Sequence, residues 1–203
     1  MAKDAAVISN QISSEALDQL FLEARTHNVW LPKAVPVEVL KKAYDLAKMA
    51  PTSANSSPAR FVFLTTTEAK NRLIPALAPG NVEKTRSAPA TAIIAWDVEF
   101  YEHLPRLFPH ADMRSYFVGK PEFIEESGFR NGSLQGAYFI LAARAVGLDC
   151  GPMSGFDAAK VNAEFFPDGK WKANFLCNLG YGDRSKLYPR SPRLPFEEAC
   201  KVL

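Results

Sequence analysis

The chain has 203 residues, of which 47% are hydrophobic and 23% charged, a composition that excludes bulk disorder. Its 24 Lys and Arg residues against 22 Asp and Glu residues leave a net charge of +2, which argues against a nucleic-acid partner. No apolar run is long enough to span a membrane, and residues 1–11 lack the apolar stretch of a signal peptide. The three cysteines form no C-x-x-C pair, so we expect reduced thiols in a cytoplasmic protein, with neither a disulfide framework nor a metal site.

Hydrophobic periodicity predicts alternating helices and strands after a flexible tail at residues 1–13. In chain order, the predicted elements are a helix from residue 14 to about 25, a helix opened by Pro36, a strand over 60–65, a helix over 67–77 closed by a turn at 79–81, a buried strand over 90–96, an irregular aromatic segment over 100–117, a helix over 121–146, and a strand over 175–179. Because neither a linker nor a repeat interrupts this pattern, residues 14–203 are expected to form a single α/β domain.

The long helix carries a stripe of three glycines, Gly128, Gly132 and Gly136, spaced four residues apart. Glycine in a helix interior costs about 1 kcal/mol relative to alanine, so a close backbone contact must offset it. Packing against the chain's own sheet and packing against a second copy explain the stripe equally well. In either case we expect a wide contact with another helix.

Four polar segments lie between the predicted elements. They are Arg25-Thr26-His27-Asn28, the loop over residues 51–58, the glycine-containing segment over 151–157, and Arg190-Ser191-Pro192-Arg193. Arginine forks, hydroxyls and free backbone N–H groups suit phosphate and polar rings. Each segment also has a simpler explanation: a solvated helix end, a connecting loop, a turn, or an exposed tail.

Several other chemistries lack their motifs. The chain contains no G-x-S-x-G, H-E-x-x-H, G-x-G-x-x-G or Walker sequence. Basic clusters without an accompanying nucleophile favour a phosphate-bearing cofactor that brings its own reactivity.

Taken in order, these segments resemble the FMN-dependent nitroreductase family. The stretches that carry the resemblance are ARTHN, APTSANSSPARFVF, GN-x-x-K, GPMSGFD, GYGDRSKLY and R-x-x-RLP. They are most similar to the malonic semialdehyde reductases of the Rut pyrimidine-degradation pathway, a subfamily of these flavoproteins. The resemblance implies a three-layer α+β sandwich around a mainly antiparallel sheet, built as an intertwined homodimer with FMN sites at the interface.

The resemblance also implies a set of cofactor-binding residues. Arg25 matches the family's phosphate-binding arginine, and Arg193 matches the C-terminal phosphate contact, with Arg190 as a second candidate. Ser154 and Gly155 match the pair whose backbone N–H lies near flavin N5. The remaining matched residues are Thr26, His27 and Asn28 beside Arg25, Ser53 and Asn55 on the loop that reaches the flavin from the other subunit, and Asn81 and Lys84 at the pyrimidine side of the ring.

The implied reaction is hydride transfer from NADH or NADPH through FMN to a small aldehyde, nitro or quinone substrate. No side chain is required as a nucleophile, so no catalytic residue is assigned. For malonic semialdehyde, reduced to 3-hydroxypropanoate, Arg60 or Arg114 is the candidate for binding the carboxylate. A broad nitro- or quinone reductase and a non-catalytic flavin-binding dimer are the alternatives.

Overall fold

The computed structural model describes residues 11–203, so most of the tail predicted for residues 1–13 lies outside the described residues. Its strands are β1 (Ala59–Leu64), β2 (Ala90–Asp97), β3 (Asp149–Met153) and β4 (Trp171–Gly180). Its helices are α1 (Ser14–Leu17, continued by a π-helical turn over Asp18–Leu22), α2 (Val37–Ala47), α3 (Thr67–Leu73), α4 (Pro79–Ser87), α5 (Leu104–Leu107), α6 (Arg114–Phe117), α7 (Pro121–Ala145), α8 (Ala158–Phe165) and α9 (Phe196–Ala199).

The four strands form one antiparallel sheet in the order β1-β2-β4-β3. Every residue of β2 is buried, as expected for a strand with a neighbour on each side and a layer of helix on each face. β1 and β3 are the two edges. A segment that adjoins β1 and a segment that adjoins β3 therefore lie at opposite sides of the sheet.

The two faces of the sheet carry separate hydrophobic clusters. Successive β2 side chains alternate between them, because Ala92 and Ile94 pack with α2 and α7 whereas Ile93 and Ala95 pack with α3 and α8. The molecule is thus a helix–sheet–helix sandwich, and the predicted fold class is confirmed. No helix in residues 11–203 has the length and apolarity needed to cross a membrane.

The glycine stripe of α7 packs against the chain's own sheet. A Cβ placed on Gly128 would lie 2.3 Å from Trp96 Cε3, and one on Gly136 would lie 2.5 Å from Phe175 Cε1. The expectation of a helix–helix contact at this stripe is therefore wrong, since two bulky aromatic side chains of the strands occupy the space that the glycines leave.

Two further sequence predictions are corrected. Residues 79–81 open α4 instead of closing the preceding helix, because Pro79 stands in the first turn, where its missing N–H is not needed. Residues 151–153 belong to β3 and not to a polar loop. Pro152 favours a loop in the sequence pattern, but a proline is tolerated on an edge strand.

All three cysteines are free thiols, and Cys150 and Cys177 are buried on the neighbouring strands β3 and β4. The hydrogen bond with Cys150, together with burial, raises the pKa of the Cys177 thiol well above its ordinary value. The Cys177 thiol is therefore a protonated core side chain.

Candidate functional site

Asn81, Ser154 and Gly155 come together just beyond the end of β3. The Gly155 carbonyl accepts hydrogen bonds from Ala78 N at 2.9 Å and from Asn81 Nδ2 at 2.7 Å. A Cβ on Gly155 would lie 2.7 Å from Asn81 Nδ2, so a side chain at this position would push the loop away from α4. Among residues 11–203, no acceptor pairs with the backbone N–H of Ser154 or Gly155, and both residues are exposed.

The Arg25–Asn28 segment lies along the same edge of the sheet. Thr26 forms a parallel bridge with Cys150 of β3, and His27 N donates to the Cys150 carbonyl at 3.0 Å. Trp30 Nε1 donates to the Lys84 carbonyl at 3.1 Å and so ties this segment to α4. Three distant stretches of chain therefore share one surface, which we call the β3-edge surface; it is formed by Thr26, Asn28, Asn81, Lys84, Ser154 and Gly155.

Lys84 supplies the positive charge of the β3-edge surface. It is half-buried, and its ammonium group forms no ion pair with another residue that the structure describes. An ammonium group without such an ion pair is available to a negatively charged ligand.

His27 is the buried member of the Arg25–Asn28 segment. Its imidazole is only 2% exposed, lies 3.4 Å from Asp149 Oδ1, and packs against the backbone of Gly182. Burial lowers the pKa of His27, while the Asp149 carboxylate acts in the opposite direction. The ring therefore supports the segment from inside the protein and does not lie at the surface beside Thr26, because side chains of an extended segment alternate in direction.

Arg25 and Arg190 are neighbours. Arg25 donates to the Tyr188 carbonyl, and Arg190 donates to the carbonyls of Leu22 and Ala24. The C-terminal segment is thereby joined to the chain that precedes Thr26. Arg193, in contrast, is exposed, and within residues 11–203 it donates only to carbonyls of its own segment. The structure brings Arg25 and Arg190 together but leaves Arg193 apart.

Ser53 and Asn55 lie at the other side of the sheet, on the loop of residues 51–58 that leads into β1. Ser53 N donates to Asn131 Oδ1 at 2.9 Å, and Asn55 Nδ2 donates to the Leu107 carbonyl at 2.8 Å. Since β1 and β3 are separated by three inter-strand spacings, about 14 Å, this loop and the β3-edge surface are not parts of one pocket in a single chain.

The backbone of this loop is unusual. Ala54 and Asn55 have φ values of 50°, and Ser57 has a φ of 41°. Left-handed conformations of residues other than glycine cost free energy and are concentrated at functional sites. Hydrogen bonds from Ser57 N to Thr52 Oγ1 and from Ala59 N to Gln135 Oε1 hold the shape.

The two arginines predicted to bind substrate are both engaged. Arg60 pairs with Asp97 at 2.6 Å and donates to the carbonyls of Ser57 and Ala59. Arg114 forms a bidentate pair with Glu102, with distances of 2.7 and 2.8 Å. Neither guanidinium group has its fork open to a ligand.

Sequence reasoning missed a cleft of about 1130 Å³ between α2, β1 and the segment over residues 100–107. Its wall includes Asn55 and five basic side chains, and none of the described residues that line it carries a carboxylate. The basic residues are Lys41, Lys48, Arg60, His103 and Arg106. Only the fold brings these residues together, since they come from three separate parts of the chain.

A model described as the nitroreductase family matches residues 22–181. The chain belongs to the nitroreductase family. It is 60% identical over 196 residues to a Rhodopseudomonas palustris protein provisionally named NADH dehydrogenase/NAD(P)H nitroreductase, covering 97% of this chain and 100% of the relative. A Polynucleobacter asymbioticus protein with the same provisional name is 61% identical over the same shares of both chains.

The fold also matches solved structures. A provisionally named nitroreductase of Exiguobacterium sibiricum, solved in complex with FMN, superimposes with a TM-score of 0.82 at 19% identity and covers 95% of this chain and 99% of its own. The family and the fold predicted from the sequence are thus confirmed. The roles of individual residues stay predictions.

Proposed function

We propose that this protein is an FMN-dependent NAD(P)H oxidoreductase that works as a homodimer. Its close relatives are named for NAD(P)H-dependent reduction, and a structural neighbour contains FMN. The observation that carries the proposal is the pair of open N–H groups at Ser154 and Gly155, held beside Asn81 and Lys84 on one surface.

The donor groups of the β3-edge surface suit FMN. Arg25 and Arg190 supply guanidinium groups and Thr26 a hydroxyl at the end where we place the phosphate. Ser154 and Gly155 offer backbone donors to the ring, and the open side chain of Lys84 offers a positive charge. Bound FMN would supply hydride chemistry, taking a hydride from the nicotinamide and delivering one to the substrate.

In this proposal the residues of the chain position the flavin and stabilise its charge, and they do not themselves react. The Lys84 ammonium group stabilises negative charge that develops on the reduced ring. The missing side chain at Gly155 lets the loop lie close to Asn81 and Ala78, so that its backbone N–H groups stay at the surface. Asn81, whose amide donates to the Gly155 carbonyl, keeps the loop at a fixed distance from α4.

The distance between the two edges of the sheet supports a homodimer. Ser53 and Asn55 are expected to reach a flavin, but their loop leads into β1, which lies about 14 Å across the sheet from β3. A second copy would bring its own loop to this chain's β3-edge surface. The outer side of α7, with Phe129, Leu134 and Tyr138 each more than 40% exposed, offers an apolar surface for that copy.

For the substrate we propose malonic semialdehyde, reduced to 3-hydroxypropanoate in pyrimidine degradation. A hydride adds to the aldehyde carbon, and a proton adds to the oxygen. The motifs GPMSGFD and GYGDRSKLY support this subfamily. The size of the cleft favours a second candidate, broad reduction of nitroaromatics or quinones, because a three-carbon acid fills little of it.

Anaerobic mixing of the FMN-loaded protein with NADH or NADPH tests the oxidoreductase proposal. We expect the yellow absorbance of oxidised FMN to disappear after mixing. Colour that persists with both nicotinamides would contradict the proposal and leave a non-catalytic flavin-binding dimer.

A comparison of electron acceptors tests the substrate. The kcat/KM for malonic semialdehyde should exceed the values for a nitroaromatic compound and for a quinone. The reverse order would overturn the specific substrate and leave the reductase activity intact.

A further inference from the structure

We propose that Arg106 binds the carboxylate of the substrate, and this inference rests on the proposed reduction of an acid semialdehyde. Arg106 lies on α5 and lines the cleft beside Asn55 and His103. Its neighbour Leu107 accepts the hydrogen bond from Asn55 Nδ2. The residue that follows Arg106 in the chain therefore contacts the loop that is expected to face the flavin.

The charges on the cleft wall single out Arg106. Lys41 pairs with Glu38 and Lys48 pairs with Asp45, each three residues apart in the chain. Arg60 pairs with Asp97, and His103 Nε2 lies 3.6 Å from the same carboxylate. Among the residues that the structure describes, none forms an ion pair or a side-chain hydrogen bond with the Arg106 guanidinium. Its charge is therefore unmatched in a cleft without carboxylates, which makes that end of the cleft attractive to an anion.

The other two arginine candidates are less suitable for physical reasons. Asp97 is only 6% exposed, so taking Arg60 away from it would leave a buried carboxylate without its closest partner. A carboxylate that approached Arg114 would have to displace Glu102 from a bidentate pair. Arg106 can donate two hydrogen bonds to a carboxylate without breaking an existing contact.

The backbone around Arg106 is well anchored even though its side chain is exposed. Leu104 is 1% exposed within the aromatic cluster of Phe100 and Phe117, and Leu107 is held by Asn55. A guanidinium group on such a base samples a limited region, so the carboxylate and the aldehyde carbon of a short acid are held in a fixed relation to the Asn55 loop.

The test compares wild-type protein with the variants Arg106→Gln, Arg106→Lys and Arg114→Gln, all loaded with FMN. The first readout is acceptor selectivity, the ratio of kcat/KM for malonic semialdehyde to that for a neutral quinone. Loss of a charge-assisted hydrogen-bond pair predicts a roughly 10- to 100-fold fall of this ratio in Arg106→Gln, mainly through KM. Arg106→Lys should recover part of the loss, and Arg114→Gln should keep the wild-type ratio.

The second readout is calorimetric titration of the FMN-loaded proteins with 3-hydroxypropanoate, which requires no turnover. Wild-type protein should bind it, and Arg106→Gln should bind it at least roughly tenfold more weakly. The inference is overturned if wild-type protein does not bind the acid, if Arg106→Gln binds it equally well, or if Arg114→Gln shows the larger loss. A protein that binds the acid at Arg106 but is not reduced by NADH or NADPH would instead refute the proposed function.

Discussion

At the scale of single residues, Gly155 has little room for a side chain. A Cβ there would lie 2.7 Å from Asn81 Nδ2 and 3.3 Å from Ala78 Cβ. We expect Gly155→Ala to weaken FMN binding roughly tenfold, because the loop must move away from α4. Fluorescence titration with FMN measures this change.

Gly80 provides the matched control, since a Cβ there meets nothing within 4 Å and the residue lies in the same helix as Asn81. Gly80→Ala should bind FMN as the wild type does. Equal losses in both variants would mean that the effect does not arise from contact with Asn81.

His27 predicts a pH dependence of stability. Burial lowers its pKa in the folded protein below the ordinary value of 6.5, so the unfolded chain binds a proton first as the pH falls. Stability is complete above about pH 6.5 and decreases below it, by at most about 1.4 kcal/mol per pH unit for one proton. Carboxylates with a lowered pKa, such as Glu102, reduce the stability only as the pH falls below their ordinary pKa of 4.5.

Urea denaturation between pH 5 and pH 7.5 measures this dependence. The free energy of unfolding should fall toward pH 5 in the wild type, and the slope should be flatter in His27→Gln. A wild-type protein that becomes more stable toward pH 5 would show that His27 is not held neutral.

At the scale of elements, the α7 stripe yields an ordered set of stabilities. The nearest sheet atom to an added Cβ lies at 2.3 Å for Gly128, 2.5 Å for Gly136 and 3.1 Å for Gly132. Alanine gains about 1 kcal/mol in helix propensity, but overpacking costs about 1–3 kcal/mol. Gly128→Ala and Gly136→Ala should therefore destabilise the protein, while Gly132→Ala should be close to neutral.

Denaturation of the three variants under identical conditions gives this order. Since all three gain the same propensity, differences among them report contact with Trp96 and Phe175. Three equal values would contradict the packing of α7 against the sheet.

The elements that the sequence predicted well are those with strong local patterns. The mostly apolar run of β2 and the long helical periodicity of α7 appear close to their predicted bounds. β3 was missed because Gly151 and Pro152 read as a loop, whereas its strand conformation comes from pairing with β4. Such pairing is set by tertiary structure and leaves little trace in five residues.

The candidate site was also predictable only in part. Asn81, Ser154 and Gly155 do meet, as the motif order suggests. The burial of His27 and the ion pair of Arg60 with Asp97 were not predictable, because they depend on which way a side chain points and on a residue 37 positions away. The unmatched charge of Arg106 was not predictable either, because it depends on the ion pairs that the other basic residues of the cleft form in the folded chain.

At the scale of the whole molecule, the proposed flavin site requires two chains. The β3-edge surface and the 51–58 loop belong to opposite edges of one sheet, so a ligand that touches both must lie between two copies. A twofold-symmetric dimer then has two equivalent sites, each with the β3-edge surface of one copy and the loop of the other.

The most direct test of this account is complementation between two inactive variants, Ser154→Trp and Ser53→Trp. Both positions are exposed in the single chain, so each variant should fold, while the indole blocks the flavin. In a mixture refolded at equal amounts, the hybrid dimer retains one unblocked site. We predict that about a quarter of the wild-type FMN binding returns on mixing. Mixtures that bind no more FMN than either variant alone would contradict a site shared between two copies.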